Sequence, residues 1–358
     1  MRRRIFHPES VRSILVMRLY FLGDVVLATP VLEALKRRFP DARLTVLAKK
    51  RAAAVLTANP NVDEIVLYDS VPDYHMPGRQ WRLAQRLRRE RFDLAVDLSG
   101  NLLSSWLLWA ADPAYRVGFN HAGFPRVLDY RIPYVSDGSV VEHLLTAVAP
   151  LGATAEPTPR IYLTDEEREN VAGLLEREGV GRDEPFAVLA PGANWEYRRW
   201  PAERHASLAR LLCSEDGIRT VLTGGDEDEE LCAKVAIASG GSALSLAGRL
   251  DVRGLAAAAE RAVLFVGSDS GPMHIAAAVG TPVVALFGPN TPDRFAPRGS
   301  TSRVIRHEYP CSPCDQKQCV RPNDPCMSAI TVDEVLTAAR DLLRRTTTPG
   351  SPGGGPDA

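Results

Sequence analysis

Several stretches of this chain carry side chains whose types and spacing could do chemistry. The fullest is Ser268-Asp269-Ser270-Gly271-Pro272, followed by Met273 and His274. Capping oxygens, a glycine and a proline suited to a first helical turn mark a helix start. The amides that open a helix lack partners within it, and with the helix dipole they favour an anion such as phosphate. The same residues would also suit a tight turn with ordinary capping. A second stretch, Gly23-Asp24-Val25, sets a carboxylate at another helix start. There it could take a proton from a hydroxyl or serve only as a cap. A third, Gly224 to Glu230, contains the formal D-x-D of Asp226 and Asp228. That pattern can hold a divalent metal, but acids at a helix start also complement the dipole, and the second reading is preferred. Glu227 has a separate use open to it, accepting hydrogen bonds from a sugar or ribose hydroxyl. Cys311, Cys314, Cys319 and Cys326 form C-x2-C-x4-C-x6-C. The first pair has zinc-knuckle spacing, yet reduced structural thiols are the expected state.

The elements that must position these residues alternate. Val263–Val266 and Val283–Phe287 read as buried strands flanking a short helix, Met273–Val279, closed by Gly280. Near the N-terminus the expected order is strand Ile14–Met17, a loop with Gly23 as its turn, helix Val25–Phe39 and strand Leu44–Leu47. Strand Ile65–Leu67, helix Trp81–Arg89 and strand Leu94–Leu98 follow. That helix carries Arg82, Arg86, Arg88 and Arg89, with Arg79 and Arg91 at its ends. A solvated face is the ordinary reading, and contact with anionic headgroups the alternative. After the Pro-rich 150–159 the same order returns: strand Phe186–Leu189, polar loop 191–199, helix Pro201–Leu212 and strand Thr220–Leu222. Asp333–Arg345 reads as a final amphipathic helix.

Two Rossmann-like α/β domains are therefore expected, 1–155 and 156–345, with a disordered Pro/Gly-rich tail, 346–358. Ligands of such sheets lie beyond the carboxyl ends of the strands, here expected in an interdomain cleft. A net charge of −1 and 45% hydrophobic residues exclude a polyanion-binding composition, so no nucleic-acid partner is expected. The basic start, MRRRIFHPES, precedes no apolar signal core, and a cytoplasmic location is expected. Neither G-x-G-x-x-G after the first strand nor a Walker A sequence occurs, so phosphate must be held by other means.

Taken together, Gly23-Asp24-Val25-Val26-Leu27-Ala28-Thr29-Pro30, Pro191-Gly192-Ala193 with Arg198-Arg199-Trp200-Pro201, and Asp269-Ser270-Gly271-Pro272-Met273-His274 resemble glycosyltransferase family 9. These are the ADP-heptose:lipopolysaccharide heptosyltransferases. Asp97-Leu98-Ser99-Gly100-Asn101, Arg116-Val117-Gly118-Phe119 and Cys326-Met327 also look like the family, and the likeness spans about residues 13–343. The resemblance implies a GT-B fold with an N-terminal acceptor domain, a C-terminal nucleotide-sugar domain and a last helix crossing back to the first. It implies metal-independent, inverting transfer of a heptosyl or related residue from an ADP-sugar, with no cofactor. The acceptor would be a lipid-linked oligosaccharide, reached at the inner face of the membrane. Asp24 matches the catalytic base, and acceptor contacts would fall in loops such as Tyr68–Gln80. Ala193, Asn194, Arg198, Glu227, Asp269, Ser270, Gly271 and His274 match donor-binding positions. Arg198 stands where the family commonly has Lys; either cation can neutralise a leaving diphosphate, but with different geometry. A GT-B epimerase or a non-catalytic nucleotide-binding module are the alternatives.

Overall fold

The computed structural model describes residues 4–68, 77–121, 123–314, 316 and 318–347. It divides into two compact units between Leu163 and Thr164. Within the first, β1 (Ser13–Arg18), β2 (Arg43–Lys49), β3 (Glu64–Tyr68), β4 (Leu94–Asp97), β5 (Tyr115–Phe119) and β6 (Tyr130–Ile132) form one sheet in the order β3-β2-β1-β4-β5-β6. Every pairing is parallel. The second unit holds β7 (Phe186–Ala190), β8 (Arg219–Leu222), β9 (Ala243–Ser245), β10 (Leu264–Ser268), β11 (Val283–Phe287) and β12 (Ser302–Arg306). Read from β9, its order β9-β8-β7-β10-β11-β12 repeats the first, again all parallel. Both units are Rossmann-like.

Central strands of such sheets are covered on both faces, which is why they read as unbroken apolar runs rather than alternating ones. Ile14–Arg18, Phe186–Ala190, Leu264–Ser268 and Val283–Phe287 are buried throughout. Order reverses between β1 and β4 in one unit and between β7 and β10 in the other. The loops leaving those strands carry Asp24, 97–101, 191–199 and 269–271. These four groups thus lie at topological switch points, where open α/β sheets bind ligands, whereas Glu227 is on the turn after β8, one strand away.

Three expectations change. The single helix Val25–Phe39 is two, Leu22–Leu27 and Thr29–Arg38, meeting at Ala28. Pro30 sits at the second position of the second helix, where its missing N–H costs nothing, and it cannot continue the first. Gly23 is accordingly helical rather than the turn residue. The last helix, Val332–Thr347, buries Val335, Leu336, Ala339 and Leu342 in the core of its own unit. It also runs two residues into the expected tail; 348–358 lie outside the described residues, as do 69–76 of the expected acceptor loop. No described helix is long and apolar enough to cross a membrane.

Candidate functional site

In the first unit the site is built on the loops after β1 and β4. Asp24 is the third residue of the Leu22–Leu27 helix, and its Oδ2 accepts the Phe21 N–H at 3.2 Å. Its Oδ1 takes the Arg18 guanidinium at 3.0 Å, and Arg18 Nε also donates to the Asp24 carbonyl. Arg18 is buried, yet its side chain bridges two loops, because another nitrogen donates to the Leu98 carbonyl at 2.5 Å. Burial lowers the Arg18 pKa, and the Asp24 carboxylate opposes that shift. Tyr20 lies under the guanidinium, 4.8 Å from ring centre to carbon, and donates its hydroxyl to the Ser99 carbonyl.

The 97–101 loop is held from beneath by Asp97. This buried carboxylate accepts from the Ser99 and Gly100 amides and the Ser104 hydroxyl, at 2.8–3.1 Å. Burial pushes its pKa up, against the pull of those hydrogen bonds and of Arg18. Gly100 adopts φ +59°, and a Cβ there would stand 2.6 Å from the His121 ring. Asn101 then caps the Leu102–Ala111 helix through the Ser104 amide.

In the second unit Arg198 and Asp269 meet across the switch point. Arg198 Nη1 lies 3.2 Å from Asp269 Oδ2 and donates to the Asp269 carbonyl at 3.1 Å. Asn290, just past β11, donates its amide to the same carboxylate at 2.5 Å. Gln316 closes the ring, accepting from Arg198 Nε and donating to Asn290 Oδ1 at 2.9 Å. His274 is buried with Nε2 4.0 Å from Asp269 Oδ1.

This network corrects one reading. Asp269 does not offer its amide to a ligand, because that N–H is committed to the Leu286 carbonyl at 3.2 Å. Ser270 caps by position only; its hydroxyl turns back to the Ser268 carbonyl at 3.1 Å. What remains for an anion are the amides of Ser270, Gly271 and Met273, with Pro272 contributing none.

The 191–199 loop and the acidic turn sit together. Arg199 Nε donates to the Ala193 carbonyl at 3.2 Å, and its Nη2 lies 3.9 Å from Asp228 Oδ1. Asp228 Oδ2 accepts the Gly225 amide at 3.3 Å, so this acid of the D-x-D pair closes its own turn. Glu227 and Asn194 are exposed. A Cβ on Gly225 would lie 2.5 Å from the Glu227 carboxylate, which therefore folds over the turn. Cys311, Cys314, Cys319 and Cys326 are half-buried free thiols, and burial, aided by the other three, raises the Cys326 pKa. No group of three or more metal-ligating side chains forms among the described residues.

Sequence reasoning passed over Arg18, Tyr20, Asn290 and Gln316 as site residues. Arg18 had a signal, being a charged residue ending an otherwise apolar buried strand. Gln316 and Asn290 had none, since they act through each other.

Two Rossmann-like α/β units with matching strand order are the architecture of GT-B glycosyltransferases. Residues 80–323 match the model of "Glycosyltransferase family 9 (heptosyltransferase)", and the chain belongs to that family. It is 28% identical over 344 residues to lipopolysaccharide heptosyltransferase 3 of Escherichia coli, covering 92% of this chain and 98% of that protein. A family 9 glycosyl transferase from Veillonella parvula superposes with a TM-score of 0.84 at 25% identity, covering 93% of this chain and 98% of the other. The E. coli ADP-heptose lps heptosyltransferase II gives a TM-score of 0.77 at 24% identity, covering 94% and 100%.

Proposed function

We propose that this enzyme moves a heptosyl residue from ADP-heptose to a lipopolysaccharide-core acceptor, inverting the anomeric centre and using no metal, with Asp24 as general base. The observation that carries the reading is the setting of Asp24. Its two oxygens are each fixed by one donor, Arg18 or the Phe21 N–H. A carboxylate offers about four acceptor sites, so each oxygen keeps one for an acceptor hydroxyl. The side chain is 25% exposed, which leaves it reachable. The hydroxyl oxygen attacks the anomeric carbon, its proton passes to Asp24, and the C–O bond to the diphosphate breaks; one displacement inverts the centre.

Leaving-group charge needs a counterpart. Arg198 and the opening amides of the Gly271–Ala278 helix supply it in this reading, in the place a divalent cation would take elsewhere. His274 and Glu227 complete the donor contacts, with Ala193 and Asn194 lining the loop. The names of the relatives support both substrates: the E. coli protein at 28% identity is a lipopolysaccharide heptosyltransferase. The structural neighbour is named for ADP-heptose. Site action would be at the inner face of the membrane, where a lipid-linked acceptor is presented.

The test incubates the enzyme with ADP-heptose and a heptose-acceptor core oligosaccharide, with and without EDTA, and assigns the new linkage by NMR. Transfer with inverted configuration, unchanged by EDTA, is expected. Retention, or activity that EDTA abolishes and a divalent cation restores, contradicts the mechanism. ADP binding with no transfer contradicts the function.

A further inference from the structure

The first unit exposes an aromatic surface that the site does not use. Along the Leu102–Ala111 helix, Leu102, Trp106 and Trp109 follow at spacings of four and three, so they form one stripe. Leu102 is 64% and Trp109 51% exposed. The neighbouring Pro77–Arg89 helix adds Trp81, 52% exposed, whose ring centre is 6.4 Å from that of Trp106. Three of the chain's five tryptophans therefore gather on one face. Phe124, also exposed, flanks it through its N–H to the Ser105 hydroxyl at 3.1 Å.

Charge on these helices has one sign. The Pro77–Arg89 helix carries five arginines and no acid, and the Leu102–Ala111 helix has no charged residue. Arg86 is engaged by Glu64 at 2.9 Å, and Arg88 faces Asp112 at 3.9 Å. Arg82 and Arg89, at i and i+7 on the outward side, make no ion pair among the described residues and are exposed. Large apolar side chains in water beside uncompensated cations are costly for a free surface. Tryptophan beside arginine is the composition that settles at the headgroup level of an anionic bilayer.

We propose that this two-helix face docks the first unit on an anionic phospholipid bilayer, with Trp81 and Trp109 entering the interface and Arg82 and Arg89 meeting headgroup phosphates. The inference rests on the reading of a lipid-linked acceptor. It adds where the enzyme is held: Leu102 directly follows the 97–101 loop, which Arg18 ties to the Asp24 loop.

The full chain is floated with phosphatidylcholine vesicles and with vesicles also containing phosphatidylglycerol, following tryptophan emission. Binding to the anionic vesicles with a blue shift is expected, weakening as salt rises. Trp81→Ala with Trp109→Ala should remove the shift and reduce binding at least about tenfold, and Arg82→Glu with Arg89→Glu should do the same to binding. Thermal unfolding checks that both variants fold. Transfer to a water-soluble acceptor should stay at the wild-type rate in both, which separates docking from catalysis. No binding, equal binding to neutral vesicles, binding unchanged in both variants, or concentration-dependent self-association through this face in place of vesicle binding would each overturn the proposal.

Discussion

Arg18 and Asp24, six residues apart, form a 3.0 Å ion pair in which the buried guanidinium also clasps the Leu98 carbonyl. One cation thus fixes the carboxylate and joins the two loops at the switch point of the first sheet. Arg18→Met keeps much of the stem's bulk and removes all three contacts. Transfer should fall about ten- to a hundred-fold, with ADP affinity unchanged, because the donor contacts proposed here belong to the second unit. Equal losses in kcat and in ADP affinity would contradict this division of roles.

Arg198 is aimed by Asp269 and Gln316, and Gln316 by Asn290. Gln316→Ala and Asn290→Ala should weaken ADP binding several-fold without touching the ligand themselves. Arg198→Ala should cost roughly 1.5–3 kcal/mol, the usual range for a charge-assisted contact to phosphate. In a double variant, Gln316→Ala should add little to Arg198→Ala, because a positioning residue has nothing left to position. Additive losses measured by calorimetry would place Gln316 on the ligand instead.

Gly192 stands where a Cβ would lie 2.3 Å from the Asp228 carboxylate. Asp228 is short and holds the Gly225 amide, so it cannot yield without moving the turn that carries Glu227. Gly192→Ala should leave the fold intact and reduce donor affinity about tenfold or more. Wild-type affinity by titration would show that the acidic turn is not part of the donor site.

Much of this was legible before any coordinates. The repeated strand, loop and helix at residues 14–47 and 186–222 implied two Rossmann-like units; the loops with Asp24, 191–199 and 269–271 lie at switch points, and the turn with Glu227, after β8, does not. The break at Ala28 was less legible, because apolar spacing continues from Val26 through Leu32 while Pro30 interrupts only the backbone bonding. The Leu102–Ala111 helix hid in a nearly uniform apolar run that shows little periodicity. Strands β6 and β9 are three residues each, too short for a pattern. The Asn290–Gln316 contact joins residues 26 apart in sequence and depends on tertiary placement alone.

Acid stability should report on the second unit through Glu167. Arg253 grips this carboxylate with two nitrogens, at 2.7 and 2.6 Å, while Thr164 caps the same helix. The Arg253 hydrogen bonds are the leading cause that its pKa is pushed down from 4.5 to about 2. A depressed carboxylate stabilises the fold above its unfolded pKa and loses that contribution as pH falls through the folded value. The window therefore runs from about 4.5 down to about 2. With the side chain 21% exposed, about 1–2 kcal/mol is expected after solvent screening. Glu167→Gln should unfold more easily at neutral pH and show a shallower loss between those values in denaturant titrations. A variant whose stability tracks wild type at every pH would contradict this.

The central claim is that Asp24 takes the acceptor proton, and Asp24→Asn tests it most directly. The amide keeps the side-chain shape and can still accept the Phe21 N–H, while losing the basicity. The rate of heptosyl transfer from ADP-heptose should fall about 10²-fold or more, the usual size of a general-base contribution, with ADP binding and the unfolding temperature near wild type. Transfer within a few-fold of wild type would show that Asp24 only caps its helix and anchors Arg18.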